Sequence, residues 1–177
     1  MLRYILLFLP VVLFADNKLH PDAPKNRPHH TLGYGILGST YLSSDQIFVG
    51  QTGSTLNNGS VYVYSISNNE IIKDQIFPPI KGTVAYDFGH SISVDSNLML
   101  IGAPSRAGQG VGRAYIYQKT TSNKWTLIKE ILPDPKIWTT DFGSSVEIQD
   151  GLILISDRYA RNEDGMVYTM YLDSETE

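Results

Sequence analysis

Apolar residues in this chain fall in short runs and strict alternations, and no stretch after the N-terminal thirty residues carries helical periodicity. Val61-Tyr62-Val63-Tyr64 and Ala114-Tyr115-Ile116-Tyr117 alternate small or β-branched residues with aromatics. A period of two places Tyr62, Tyr64, Tyr115 and Tyr117 on one face of their strands, and Val61, Val63, Ala114 and Ile116 on the other. Both faces are apolar, so each sheet is expected to pack against neighbours on both sides. Leu98-Met99-Leu100-Ile101 and Leu152-Ile153-Leu154-Ile155 are continuous, the pattern of strands buried on both faces. Turn-forming Gly, Asn, Ser and Asp separate these segments.

The strands group into units. Unit one has expected strands near Gly35–Tyr41, Gln46–Gly50, Ser60–Ser65 and Glu70–Ile76. Unit two has His90–Val94, Leu98–Gly102, Arg113–Gln118 and Trp125–Ile131. Unit three has Ser144–Ile148, Leu152–Ser156 and Met166–Leu172, without a fourth strand. The glycine before the third strand recurs at Gly59, Gly112 and Gly165, two equal intervals of 53 residues. A fixed period of that length, with several short strands per unit, signals a propeller or array. The expected fold is all-β: a β-propeller-like array of about three four-stranded antiparallel blades, at about 31–80, 87–135 and 141–173, the last incomplete.

The N-terminus belongs to a different class. Arg3 precedes an apolar run of 11 residues, Tyr4 to Phe14, which ends at Ala15 before Asp16-Asn17-Lys18. A spanning helix needs roughly 20 apolar residues, so residues 1–15 read as a signal peptide. Leu13 departs from the small residue usual at the third position before cleavage. Pro21, Pro24 and Pro28 make 16–30 a linker rather than a strand or helix. The expected location is secreted, periplasmic or cell-surface. The 177 residues suffice for one domain with a sizeable core. Net charge is −4 with no basic block, which argues against nucleic-acid binding. With no cysteine, disulfides, thiolate metal sites and a thiol nucleophile are excluded.

The most complete unit runs Phe88-Gly89-His90-Ser91-Ile92-Ser93-Val94, then Leu98 through Gly102-Ala103-Pro104, then Gly112-Arg113-Ala114-Tyr115-Ile116-Tyr117, then Trp125. This resembles the FG-GAP repeat of integrin α-subunit propellers and many bacterial exported proteins. Unit three keeps Phe142-Gly143 but has Ser156-Asp157-Arg158 in place of Gly-Ala-Pro. Unit one keeps Val49-Gly50, and its start is open between Tyr34-Gly35 and Leu37-Gly38. The resemblance implies a propeller fold and leaves function open. Family members often carry a calcium loop, Asp-x-Asp-x-Asp-Gly, and no unit here has it. The one acidic loop offers Asp157, Asn162 and Asp164 as weak calcium candidates, against the plainer reading of a solvated turn. No cofactor is otherwise expected.

Ser39, Ser91 and Ser144-Ser145 recur with the repeat and read as structural hydrogen-bond donors within each blade. Asp87 and Asp141 recur before Phe-Gly and read as turn residues. His90 lies at a strand start with no recognisable triad pattern around it. The loops Gln51–Asn58, Ser105–Val111 and Asp157–Asp164 follow equivalent strands and should share one rim. That rim carries Arg106, Arg158, Tyr159 and Arg161, residue types favoured at interfaces. The favoured expectation is an exported, non-enzymatic adhesion-type module presenting this rim to a protein or glycan, with a homodimer closing a six-blade ring. The alternative is a truncated or degenerate fragment of a longer FG-GAP protein. A third reading, a small hydrolase on the same scaffold, would need Asp87, His90 or Asp141 to converge in one cleft.

Overall fold

The computed structural model describes residues 37–52, 59–68, 70–77, 87–105, 110–137, 139, 141–160 and 164–172. These form three antiparallel sheets in chain order. The first contains β1 (Leu37–Leu42), β2 (Gln46–Gln51), β3 (Ser60–Ser67) and β4 (Glu70–Phe77). The second contains β5 (Ser91–Asp95), β6 (Leu98–Ala103), β7 (Arg113–Lys119) and β8 (Trp125–Ile131). The third contains β9 (Phe142–Gln149), β10 (Leu152–Asp157) and β11 (Met166–Tyr171). Each sheet is a simple meander, so every strand pairs with its chain neighbour. The protein is therefore all-β and blade-like, and each expected strand is present within two residues of its predicted ends.

Local chemistry sets the hairpins. Between β9 and β10, Asp150 and Gly151 have φ of 50° and 76°. Two successive positive φ values suit the right-handed twist of a two-residue hairpin, and Asp-Gly is the pair that tolerates them. Ser96 and Asn68 take positive φ in the β5–β6 and β3–β4 turns.

Period-two alternation then sorts the faces. Phe48, Val61, Val63 and Phe77 of the first sheet pack against Met99, Ile101, Tyr115, Tyr117 and Trp125 of the second. Leu100, Ala114, Ile116 and Ile131 turn the other way, onto Phe142, Val146, Ile148, Ile153 and Ile155 of the third. The tyrosines of β7 thus face the preceding sheet, and its small and branched residues face the next. β6 is buried on both faces, as its continuous apolar run predicts. β10 has an equal run, yet only Ile153, Ile155 and Asp157 are fully buried. Leu152 and Leu154 lie on the face turned away from the second sheet.

The Phe-Gly pair forms the joint between sheets. His90 N–H donates to the Asp87 carbonyl at 3.0 Å, and Ser144 N–H to Asp141 at 3.0 Å. Gly89 and Gly143 have φ of 87° and 89° at the third position of these turns. That value defines a type II turn and favours glycine. Each turn presses on the preceding sheet. A Cβ on Gly50 would lie 1.8 Å from the Gly89 carbonyl oxygen, and one on Gly112 would lie 2.1 Å from that of Phe142. The aromatic of the pair is buried against its own sheet: Phe88 stacks edge-on to Tyr115 at 5.4 Å, and Phe142 to Tyr168 at 5.0 Å. Ser144 Oγ stays within its own sheet, 3.0 Å from Ser156 Oγ, as expected of the recurring serine, whereas Ser91 serves this joint. Ser91 Oγ donates to the Gly143 carbonyl at 2.9 Å, so its bond runs between sheets rather than within one.

Candidate functional site

Three positions of the third sheet depart together from the second. By register, Ser156, Asp157 and Arg158 take the places of Gly102, Ala103 and Pro104. Asp157 ends β10 fully buried, where Ala103 is equally buried. A carboxylate there needs a partner, and the Thr139 hydroxyl donates to its Oδ2. The residue two before Phe-Gly-preceding Asp is Thr139 here and Ala85 in unit two. Both positions are alanine in unit two and polar in unit three. Burial pushes the Asp157 carboxyl above its ordinary value of 3.8. The Thr139 hydroxyl and the peptide N–H groups of Tyr159 and Ala160 oppose that rise, and the Asp141 charge adds to it.

Asp141, buried in the turn before Phe142, pairs with Arg158. The Arg158 Nε lies 3.0 Å from Asp141 Oδ2. The same guanidinium stacks over the Tyr159 ring, 4.7 Å from its centroid. Arg158 and Tyr159 are both exposed. The result is a cation–aromatic ledge at the surface, paired below with the buried carboxylate of Asp141 in the turn before β9. The Arg158 side chain is 62% exposed and that of Asp141 3%.

Of the rim residues expected from sequence, the structure brings Arg158 and Tyr159 together. Arg106 and Arg161 lie outside the described residues, as does Asn162. Of the calcium candidates, Asp164 is exposed, whereas Asp157 is buried and engaged by Thr139. Among the described residues no group of three or more His, Asp or Glu side chains gathers as metal ligands. Asp87 and Asp141 occupy equivalent turns of successive sheets, each with its backbone carbonyl closing the turn. His90 N–H closes the first of these and also donates to the Gly102 carbonyl at 3.2 Å.

Two contributors escaped the sequence reading. Thr139 becomes visible only when the units are aligned position by position. Gln75 of β4 reaches the second sheet, where its Nε2 donates to the Trp125 carbonyl at 2.9 Å and its Oε1 accepts from Trp125 N–H at 3.0 Å. A side-chain amide there stands in for one rung of a β-ladder, and nothing in its sequence context marks it. No protein-family model matches the chain, and no curated protein matches it.

Proposed function

We propose that this protein is an exported, non-enzymatic binding module of the FG-GAP type that presents the rim of its stacked sheets to a protein or glycan. One observation carries the reading: Arg158 lies over Tyr159 at the surface, with its inner side held by buried Asp141. An ordered cation beside an aromatic face suits a ligand with both an apolar ring face and an anionic or hydroxyl edge. Acidic glycans and tyrosine- or carboxylate-bearing protein loops share that chemistry. The rigid sheets beneath lower the ordering cost of binding.

The test is retention of the purified protein on immobilised neutral and acidic glycans and on a panel of cell-surface proteins, beside Arg158→Ala/Tyr159→Ala. Retention by one class that falls at least tenfold in the double variant supports the reading. Equal retention of both proteins, or none of either, refutes it.

A further inference from the structure

We infer that β11 is an open sheet edge through which two copies of this chain pair, joining their third sheets into one six-stranded antiparallel sheet. In the first two sheets the third strand is covered along its length, β3 by β4 and β7 by β8. Among the described residues nothing pairs with the outer side of β11.

The direction of its peptide groups follows from the ladder. Leu172 N–H donates to the Gly151 carbonyl at 2.9 Å. Hydrogen-bonded pairs alternate in an antiparallel ladder, so Met170, Tyr168 and Met166 direct their peptide groups to β10. Those of Tyr171, Thr169 and Val167 therefore point outward. The β7 positions equivalent to these, Gln118, Ile116 and Ala114, lie opposite Thr126, Lys129 and Ile131 of β8.

β11 itself also carries none of the residues that blunt an edge. Natural edges are blunted by charge, proline or a bulge. β4 carries Glu70, Lys73 and Asp74, and β8 carries Lys129 and Glu130. β11, Met166-Val167-Tyr168-Thr169-Met170-Tyr171, has no charge, no proline and no glycine. It pairs in register with β10 at every residue. Val167 and Tyr171 are 63% and 69% exposed.

Self-complementarity selects a second copy as the occupant. An antiparallel two-fold centred on Thr169 sets Thr169 opposite Thr169 of the second copy, and Val167 opposite Tyr171 twice. Thr–Thr and aromatic–β-branched pairs are among the favourable cross-strand combinations. All three positions face outward in the ladder, so each pair is a hydrogen-bonded one. A ring closed through the repeat's own joint is a poorer fit. That joint needs a glycine where the next Phe-Gly turn presses, and the third sheet has Ser156. Its Oγ is already taken up by Ser145 N–H at 2.9 Å and the Ser144 hydroxyl at 3.0 Å.

The experiment is the solution mass of the purified protein by light scattering, beside Thr169→Lys and Thr169→Pro. Lysine sets two like charges face to face across the two-fold. Proline removes a donor that points away from β10, so the fold keeps its internal bonds. The expected result is twice the chain mass for the wild type and a single chain mass for both variants, with unchanged far-ultraviolet circular dichroism. Because the chain has no cysteine, Thr169→Cys supplies one thiol per copy. It should oxidise to a crosslinked dimer at least tenfold faster than Thr126→Cys on the β8 edge. A monomeric wild type, a dimer or aggregate that persists in Thr169→Lys, or equal crosslinking at the two positions would overturn the inference.

Discussion

The carbonyl oxygen of Gly143 lies 2.1 Å from where a Cβ on Gly102 would stand, so a turn of the third sheet rests on bare backbone of the second. Ser91 closes the same contact by donating to that oxygen at 2.9 Å. A methyl group at 102 must move the turn or the sheet, since backbone is on both sides. Gly102→Ala is therefore expected to cost about 3 kcal/mol, at the upper end of overpacking. Gly151 is the contrast. It meets nothing nearer than the Leu172 oxygen at 4.0 Å, and its φ is 76°. Gly151→Ala should cost only the conformational strain, about 1 kcal/mol. Urea denaturation of both variants checks the order, and equal losses would contradict the joint.

Gln75 and Trp125 supply a second link between sheets. Gln75→Ala removes two hydrogen bonds to the Trp125 backbone. At about 1 kcal/mol each, the loss should be near 2 kcal/mol. Gln75→Glu keeps the acceptor for Trp125 N–H and sets a carboxylate against the Trp125 carbonyl, so it should recover little. Thermal unfolding followed by tryptophan fluorescence measures both. A Gln75→Ala protein as stable as wild type would show that this bridge adds nothing net.

Asp157 makes stability depend on pH in a defined direction. Its native carboxyl titrates above the ordinary value of 3.8. Between the unfolded and native values the folded state holds more protons, so stability falls as pH rises through that interval. The contribution is fully present below the unfolded value and gone above the native one. Asp157→Asn keeps an acceptor for Thr139 and cannot ionise. Its stability relative to wild type should increase from pH 4 upward and then level off. Denaturant melts across pH 4 to 8 test this, and two parallel curves would rule it out.

Arg158 covers a carboxylate that the fold has buried. Removing one partner of a buried pair is strongly destabilising, whereas exposed pairs are worth little. Arg158 is mostly exposed and Asp141 is not, so the solvated partner limits the loss. Arg158→Ala should cost about 1 kcal/mol. Arg158→Ala with Asp141→Asn should restore most of it, because the uncompensated charge is gone. A double-mutant cycle with no coupling would place the ledge on Tyr159 alone.

The alternation in Ala114-Tyr115-Ile116-Tyr117, the recurrence of Gly59, Gly112 and Gly165, and the turn residues between runs determined the all-β class and every strand to within two residues. They could do so because strand pairing between chain neighbours is local, and period two encodes which face each side chain takes. The repeated Phe-Gly was legible as a motif, but its purpose was not. Only the stacked sheets show that Gly89 and Gly143 press on Gly50 and Gly102, because those contacts join residues of different units. For the same reason the recurring serine reads from sequence as serving its own blade, which Ser144 does through Ser156, whereas Ser91 bonds to the next. From sequence Asp157 reads as part of a solvated acidic turn. Its carboxylate is buried because the strand carries it into the position of Ala103, where Thr139 from another segment meets it. Of the four rim residues, the pairing of Arg158 with Tyr159 and Asp141 was decided by tertiary structure. A sequence can state which residues a loop contains, while the direction of a guanidinium depends on the buried charge that the fold sets beside it.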